Sequence, residues 1–203
     1  MLLNWRLIAS AGLVWSQGAI ASPSFDIGLT LEHPSTGVST LPDGRLFVLF
    51  ARPQDGSPGP QVVEWKDNKS VAYPNEEWNS YSKGKDPAKH LIRVNAQRVG
   101  PDGSLWVVDT GSPDFGAPVL LPDGAKIVKV DTRNNSVSRV YSLGNVCGGR
   151  AFIDDIRFSK DGKRAYLTDA GTPPGLIVLD LHTGMAQRML GMTELLFHTF
   201  GFH

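Results

Sequence analysis

Arg98-Val99-Gly100-Pro101-Asp102-Gly103-Ser104-Leu105-Trp106-Val107-Val108 joins one apolar stretch to a second through an Asp-Gly pair. Asp tolerates and Gly prefers positive φ, so the pair predicts a tight turn between two antiparallel strands. The same pattern runs from Gly37 through Asp43-Gly44 to Val48, and from Ile156 through Asp161-Gly162 to Leu167. Asp43, Asp102 and Asp161 stand at equal intervals of 59 residues. Equal spacing is the signature of a structural repeat.

The strand after each turn is nearly continuous in apolar residues (Leu105-Trp106-Val107-Val108), which predicts burial of both faces between neighbouring sheets. A third strand follows in each unit: Val62-Val63-Glu64-Trp65, Ile127-Val128-Lys129-Val130 and Leu176-Ile177-Val178-Leu179. A fourth is visible as Val137 to Tyr141 and, less clearly, Met185 to Leu190. Four antiparallel strands at a fixed period make a propeller blade. The period exceeds the ~40–50 residues of common propeller repeats, which places extra length in loops, above all the loop after the second strand. A β-sandwich would explain the hairpins but not the spacing. The fold expected is all-β, a propeller of four-stranded antiparallel blades with about three blades present. Three blades cannot close a ring of the usual ~4–8, so the expectation is a truncated part of a ring, with closure by self-association as the alternative.

Three segments follow from this reading. Residues 1–21 read as a secretory signal peptide: Arg6 is the sole charge, Leu7 to Val14 is a short apolar centre, and Ala19-Ile20-Ala21 precedes Ser22-Pro23 as a small-x-small cleavage pattern. Residues 22–190 form the partial propeller, and 191–203 a divergent apolar tail. The predicted location is extracellular. The apolar run is too short to span a bilayer, so no membrane partner is expected. Lys+Arg and Asp+Glu both number 20, and this balance lacks the basic footprint of a nucleic-acid binder. The 22 glycines and 14 prolines among 203 residues favour turns over long helices. Cys147 is alone and cannot pair within the chain. Asn68-Lys69-Ser70 and Asn134-Asn135-Ser136 are acceptor sequons, which makes Asn68 and Asn134 the glycosylation candidates.

Gln97-Arg98-Val99 through Leu105-Trp106-Val107-Val108-Asp109-Thr110-Gly111 resembles a hallmark segment of the major royal jelly protein/yellow family. Pro34 to Val48, Tyr73-Pro74-Asn75-Glu76-Glu77-Trp78-Asn79, and Asp155 to Phe158 leading to Tyr166-Leu167-Thr168-Asp169 are similar to that family as well. The resemblance implies a secreted six-bladed propeller. It implies a range of roles, from binding small aromatic amines to dopachrome-type conversion, and a fold alone does not choose between them.

Asp154-Asp155, just before the first strand of the third repeat, is the candidate ligand- or metal-binding site. Adjacent carboxylates at a channel mouth suit an amine or a divalent cation. The plainer alternative is an Asp accepting backbone hydrogen bonds at the start of a strand. Asp109 and Asp169, each two residues before a Gly, read as turn chemistry. Trp106 and Tyr166 occupy equivalent places and read as inter-blade core. Trp65 and Trp78 lie near loops and read as packing. His33, His90, His182, His198 and His203 lack metal-ligand spacing, no catalytic residue is assigned, and no cofactor is predicted beyond that cation. The leading expectation is a small-molecule binder. The alternative, a metal-dependent gluconolactonase-like hydrolase, needs a Glu near the start of the first blade, where Thr36 stands.

Overall fold

The computed structural model describes residues 27–31, 33–50, 52 and 59–189. The leader and the apolar tail lie outside the described residues, as do His198 and His203. Twelve strands are formed: β1 (Ser35–Thr40), β2 (Leu46–Phe50), β3 (Val62–Lys66), β4 (Lys69–Ala72), β5 (Val94–Val99), β6 (Leu105–Asp109), β7 (Lys126–Asp131), β8 (Ser136–Ser142), β9 (Ile153–Phe158), β10 (Arg164–Asp169), β11 (Gly175–Asp180) and β12 (Ala186–Met189). They build three four-stranded antiparallel sheets, each a meander of consecutive strands. One sheet per 59-residue unit is the arrangement the repeat demands. A one-turn helix, α1 (Glu76–Asn79), and a 3-10 turn at Pro87–Lys89 lie in the connection between the first two sheets.

The hairpins show how the repeat works. Within each Asp-Gly pair the glycine takes positive φ and the aspartate does not: Gly44 at 89°, Gly103 at 75° and Gly162 at 66°. The aspartates serve as acceptors instead. Asp43 takes the N–H of Arg45 at 3.0 Å, Asp102 that of Ser104 at 3.1 Å, and Asp161 that of Lys163 at 3.1 Å. The bond closing the turn runs from Leu41 to Arg45 and from Gly100 to Ser104, but from Ser159 to Arg164 in the third unit. That hairpin is one residue longer, so Trp106 matches Tyr166 rather than the residue 59 positions on.

The sheets stack face to face. Phe47, Leu49, Val62 and Tyr73 of the first unit pack on Leu105, Val107, Val128 and Val130 of the second. Trp106, Val108, Ile127 and Tyr141 pack on Ile156, Ala165, Leu167, Ile177 and Leu179 of the third. Strand β6 sends alternate side chains into the two cores and is buried along its whole length. Contacts between neighbouring sheets concentrate on the first strands, β1 with β5 and β5 with β9, which marks these as the innermost. This is propeller stacking.

Strand β10 differs from the sequence expectation. Ala165, Leu167 and Asp169 are buried, whereas Arg164, Tyr166 and Thr168 are exposed. Tyr166 faces away from the second sheet, where among the described residues no further sheet covers it. It is therefore not inter-blade core, although its equivalents Phe47 and Trp106 are.

Candidate functional site

The first strands begin, and the second strands end, on one rim, which also carries the variable loops. Asp109 closes that rim in the second sheet. Its carboxylate accepts the N–H groups of Ile92 (2.7 Å), Arg93 (3.0 Å) and Gly111 (2.9 Å) and the Nζ of Lys126 (2.7 Å). Both side chains of the Asp109–Lys126 pair are fully buried. Asp169 repeats the device, taking Phe152 N at 2.7 Å, Gly171 N at 2.8 Å and Arg188 Nη1 at 2.7 Å. Both aspartates are buried strand-end anchors, Asp109 accepting four bonds and Asp169 three from within the fold, which points to a structural role for each. The first sheet uses neutral groups for the same task. Buried Asn79 accepts from Gln61 N and Val62 N and donates to Tyr73 O and Asn75 O. Gln61 in turn donates to Leu91 O and Ile92 O and accepts from Val94 N.

Immediately inside this rim, each first strand carries a β-bulge. The register slips between Ser35 and Gly37, between Val94 and Ala96, and opposite Thr168/Asp169 between Ile153 and Asp155. Thr36, Asn95 and Asp154 are the bulged residues, one per sheet and 59 positions apart. A bulge re-aims the extra side chain off the sheet, and bulges cluster beside functional sites. Asn95 Nδ2 donates to Asp154 Oδ1 at 2.9 Å and to Asp154 O at 3.0 Å, which links the second and third sheets.

The two sequence candidates therefore separate. Asp154 is exposed and receives hydrogen bonds only from neutral Asn95; among the described residues no cation pairs with it. Asp155 points elsewhere, into an ion pair with Arg98 at 3.1 Å and another with Arg157, and it accepts its neighbour Ile156 N at 2.7 Å. Burial opposes ionisation of Asp155, but the bonds from Ile156, Arg157 and Arg98 outweigh it and hold the carboxyl below its ordinary range. Successive residues on a strand point to opposite sides, so adjacency in sequence does not make a shared site.

The bulge set offers one carboxylate, one amide and one hydroxyl. Among the described residues no three His, Cys, Asp or Glu side chains come together. Such a donor set fits a divalent cation poorly, since calcium sites take 6–8 oxygens with several carboxylates among them.

The opposite, hairpin rim is occupied by paired charges. Its cleft of about 600 Å³ between the first two sheets contains Asp102, Lys129, Asp131 and Arg133. Lys129 bonds Asp102 at 2.6 Å and Arg133 bonds Asp131 at 2.7 Å, so both cations of the cleft are paired, and Asp43 also lines it. Asn68 and Asn134 sit on this rim in exposed turns, away from the bulges. Trp78 packs against the core between the first two sheets, while Trp65 borders a shallow cavity with His33 and Phe50. Cys147 is free and buried; burial, reinforced by Asp169, pushes its thiol up to about 12.

No family model matches this sequence, and no curated protein does. Among solved structures, the extracellular domain of BT4673 from B. thetaiotaomicron is similar at 14% identity and a TM-score of 0.49, over 77% of this chain and 16% of that one. YCF48 bound to D1 peptide is similar at 13% and 0.46, over 78% and 40%. PorZ, a surface component of the type-IX secretion system of Porphyromonas gingivalis, is similar at 15% and 0.46, over 77% and 19%. This chain thus spans less than half the length of each. The fold stands on the chain's own strand pairing and stacking.

Proposed function

We propose that the chain is a secreted propeller of the royal jelly/yellow type that binds a small aromatic amine at the channel end, beside the bulge residues. The observation carrying this reading is the Asp154 carboxylate. It sits on an innermost strand, re-aimed by a bulge, steadied by Asn95 and left without a cationic partner among the described residues. A protonated amine supplies the missing charge. The sequence segments around Asp109, Tyr73–Asn79 and Asp155–Asp169 support the lineage, and the leader pattern at residues 1–21 supports export.

Calorimetric titration with serotonin or dopamine tests the binding. Saturable heat is expected, with affinity reduced about tenfold or more in Asp154→Asn, the magnitude of one charge-assisted hydrogen bond. Absence of heat at high micromolar ligand, or equal binding by Asp154→Asn, defeats the reading. Expression in a eukaryotic secretory host tests export: the chain should reach the medium carrying glycans at Asn68 and Asn134, and retention in the cell would remove that part.

A further inference from the structure

Between the second and third sheets, on the loop rim, opens a cavity of about 490 Å³ lined by Arg93, Asp114, Phe115, Arg150 and Phe152, among others. Its volume lies in the range of small-molecule sites. Arg93 and Phe152 are equivalent residues, one position before their first strands, and the same staple fixes both. Asp109 holds Arg93 N at 3.0 Å and Asp169 holds Phe152 N at 2.7 Å. The positions of these two side chains at the cavity wall are thus set by buried carboxylates rather than by the loop.

Arg93 is only 8% exposed, yet among the described residues its guanidinium meets no carboxylate. It donates to three backbone carbonyls, Ser112 O at 3.3 Å, Pro113 O at 3.4 Å and Arg52 O at 3.4 Å. All three are longer than a good N–H···O bond, and none supplies negative charge. The nearest buried carboxylate, Asp109, is committed to Lys126. Arg150 borders the same cavity, exposed and without an ion pair among the described residues. Asp114 is the one acidic side chain of the lining. Among the described residues of the lining, two guanidinium groups against one carboxylate leave a single positive charge, partly desolvated, at the hollow. A buried cation short of a counter-ion is costly, and an anion entering the hollow relieves that cost.

The geometry points to a binding site for a small aromatic monocarboxylate, its carboxylate held by Arg93 and Arg150 and its ring set against Phe115 and Phe152. The planar fork of arginine matches a carboxylate, and one net charge suits a monoanion better than a phosphate dianion. Phe115 stands 69% exposed at the loop tip, apolar surface that a bound ring would cover. The site is separate from the amine site at Asp154 and does not depend on it.

Benzoate is the probe, titrated into the full-length protein and followed by calorimetry and by amide NMR shifts around Arg93 and Ala170. Saturable binding is expected. Arg150→Gln, an exposed substitution that leaves the core untouched, should weaken it about tenfold, and Phe115→Ala several-fold. Benzyl alcohol, matched in shape but neutral, should not compete, and Asp154→Asn should bind benzoate as the wild type does. The proposal is overturned by absence of saturation at millimolar benzoate, by unchanged affinity in Arg150→Gln, or by equal binding of benzyl alcohol. Serotonin binding in Arg150→Gln reads the other site independently, so the two proposals can fail separately.

Discussion

Replacing Asp109 by Ala removes the acceptor of three backbone N–H groups and the partner of a lysine whose side chain is 1% exposed. Lys126 then keeps only Gly124 O, at 3.1 Å. Removing one member of a buried pair costs about 3–5 kcal/mol, and we expect about 4 kcal/mol here. With a urea m-value of about 2 kcal/mol per molar, the unfolding midpoint should fall by about 2 M. Lys126→Met leaves Asp109 its three N–H donors and should cost less, about 2–3 kcal/mol. The informative quantity is the double variant. With both charges gone no charge is stranded, and the three unpaired N–H groups are already present in Asp109→Ala, so Asp109→Ala/Lys126→Met should be no less stable than Asp109→Ala alone, a coupling of about 2 kcal/mol or more. Urea unfolding followed by tryptophan fluorescence reads all four proteins, since Trp106 lies in the adjoining core. If the two single losses simply add, to within about 0.5 kcal/mol, the pair is not the staple described above.

Gly111 has φ +71°, and a Cβ there would collide with the backbone of Gly124 and Ala125, so Gly111→Ala should lower stability by about 3 kcal/mol or more in the same assay. Cys147, its thiol raised to about 12 by burial, should resist a thiol reagent at pH 8 in the folded protein and react once urea unfolds the chain; fast native labelling would contradict its placement. Acid should act through Asp102 and Asp155. In each, burial raises the pKa but hydrogen bonds outweigh it, from Lys129, Trp106 and Ser104 for Asp102 and from Ile156, Arg157 and Arg98 for Asp155. Their stabilisation is complete above the ordinary carboxylate value of 3.8 and is lost as pH falls through the lower folded value, so the urea midpoint should drop below pH 4, and Asp102→Asn should show a shallower acid limb.

The equal spacing of Asp43, Asp102 and Asp161 carried most of the architecture, because a fixed period leaves one strand set per unit wherever the loops fall. What escaped was polar. Strand β4, Lys69–Ala72, carries no strand signal in the sequence because an outermost strand is solvated and needs little apolar character. Lys126 and Arg93 resemble surface cations, and only the tertiary fold shows one paired and both buried. Asn95 was within reach, standing one period before Asp154, but a lone Asn in a strand carries no chemical signal by itself. Tyr166 departs from the sequence expectation for a different reason: equivalence in sequence preserves direction on the sheet, while burial depends on what lies across from it.

The staples at Asp109 and Asp169 bear on the loops that follow them. Each clamps its sheet shut before the chain departs into the following loop, and of the span from Pro113 to Asp123 after the Asp109 staple only Val119 is buried in the core. A change in the length of that loop is therefore expected to leave the scaffold beneath it as it was.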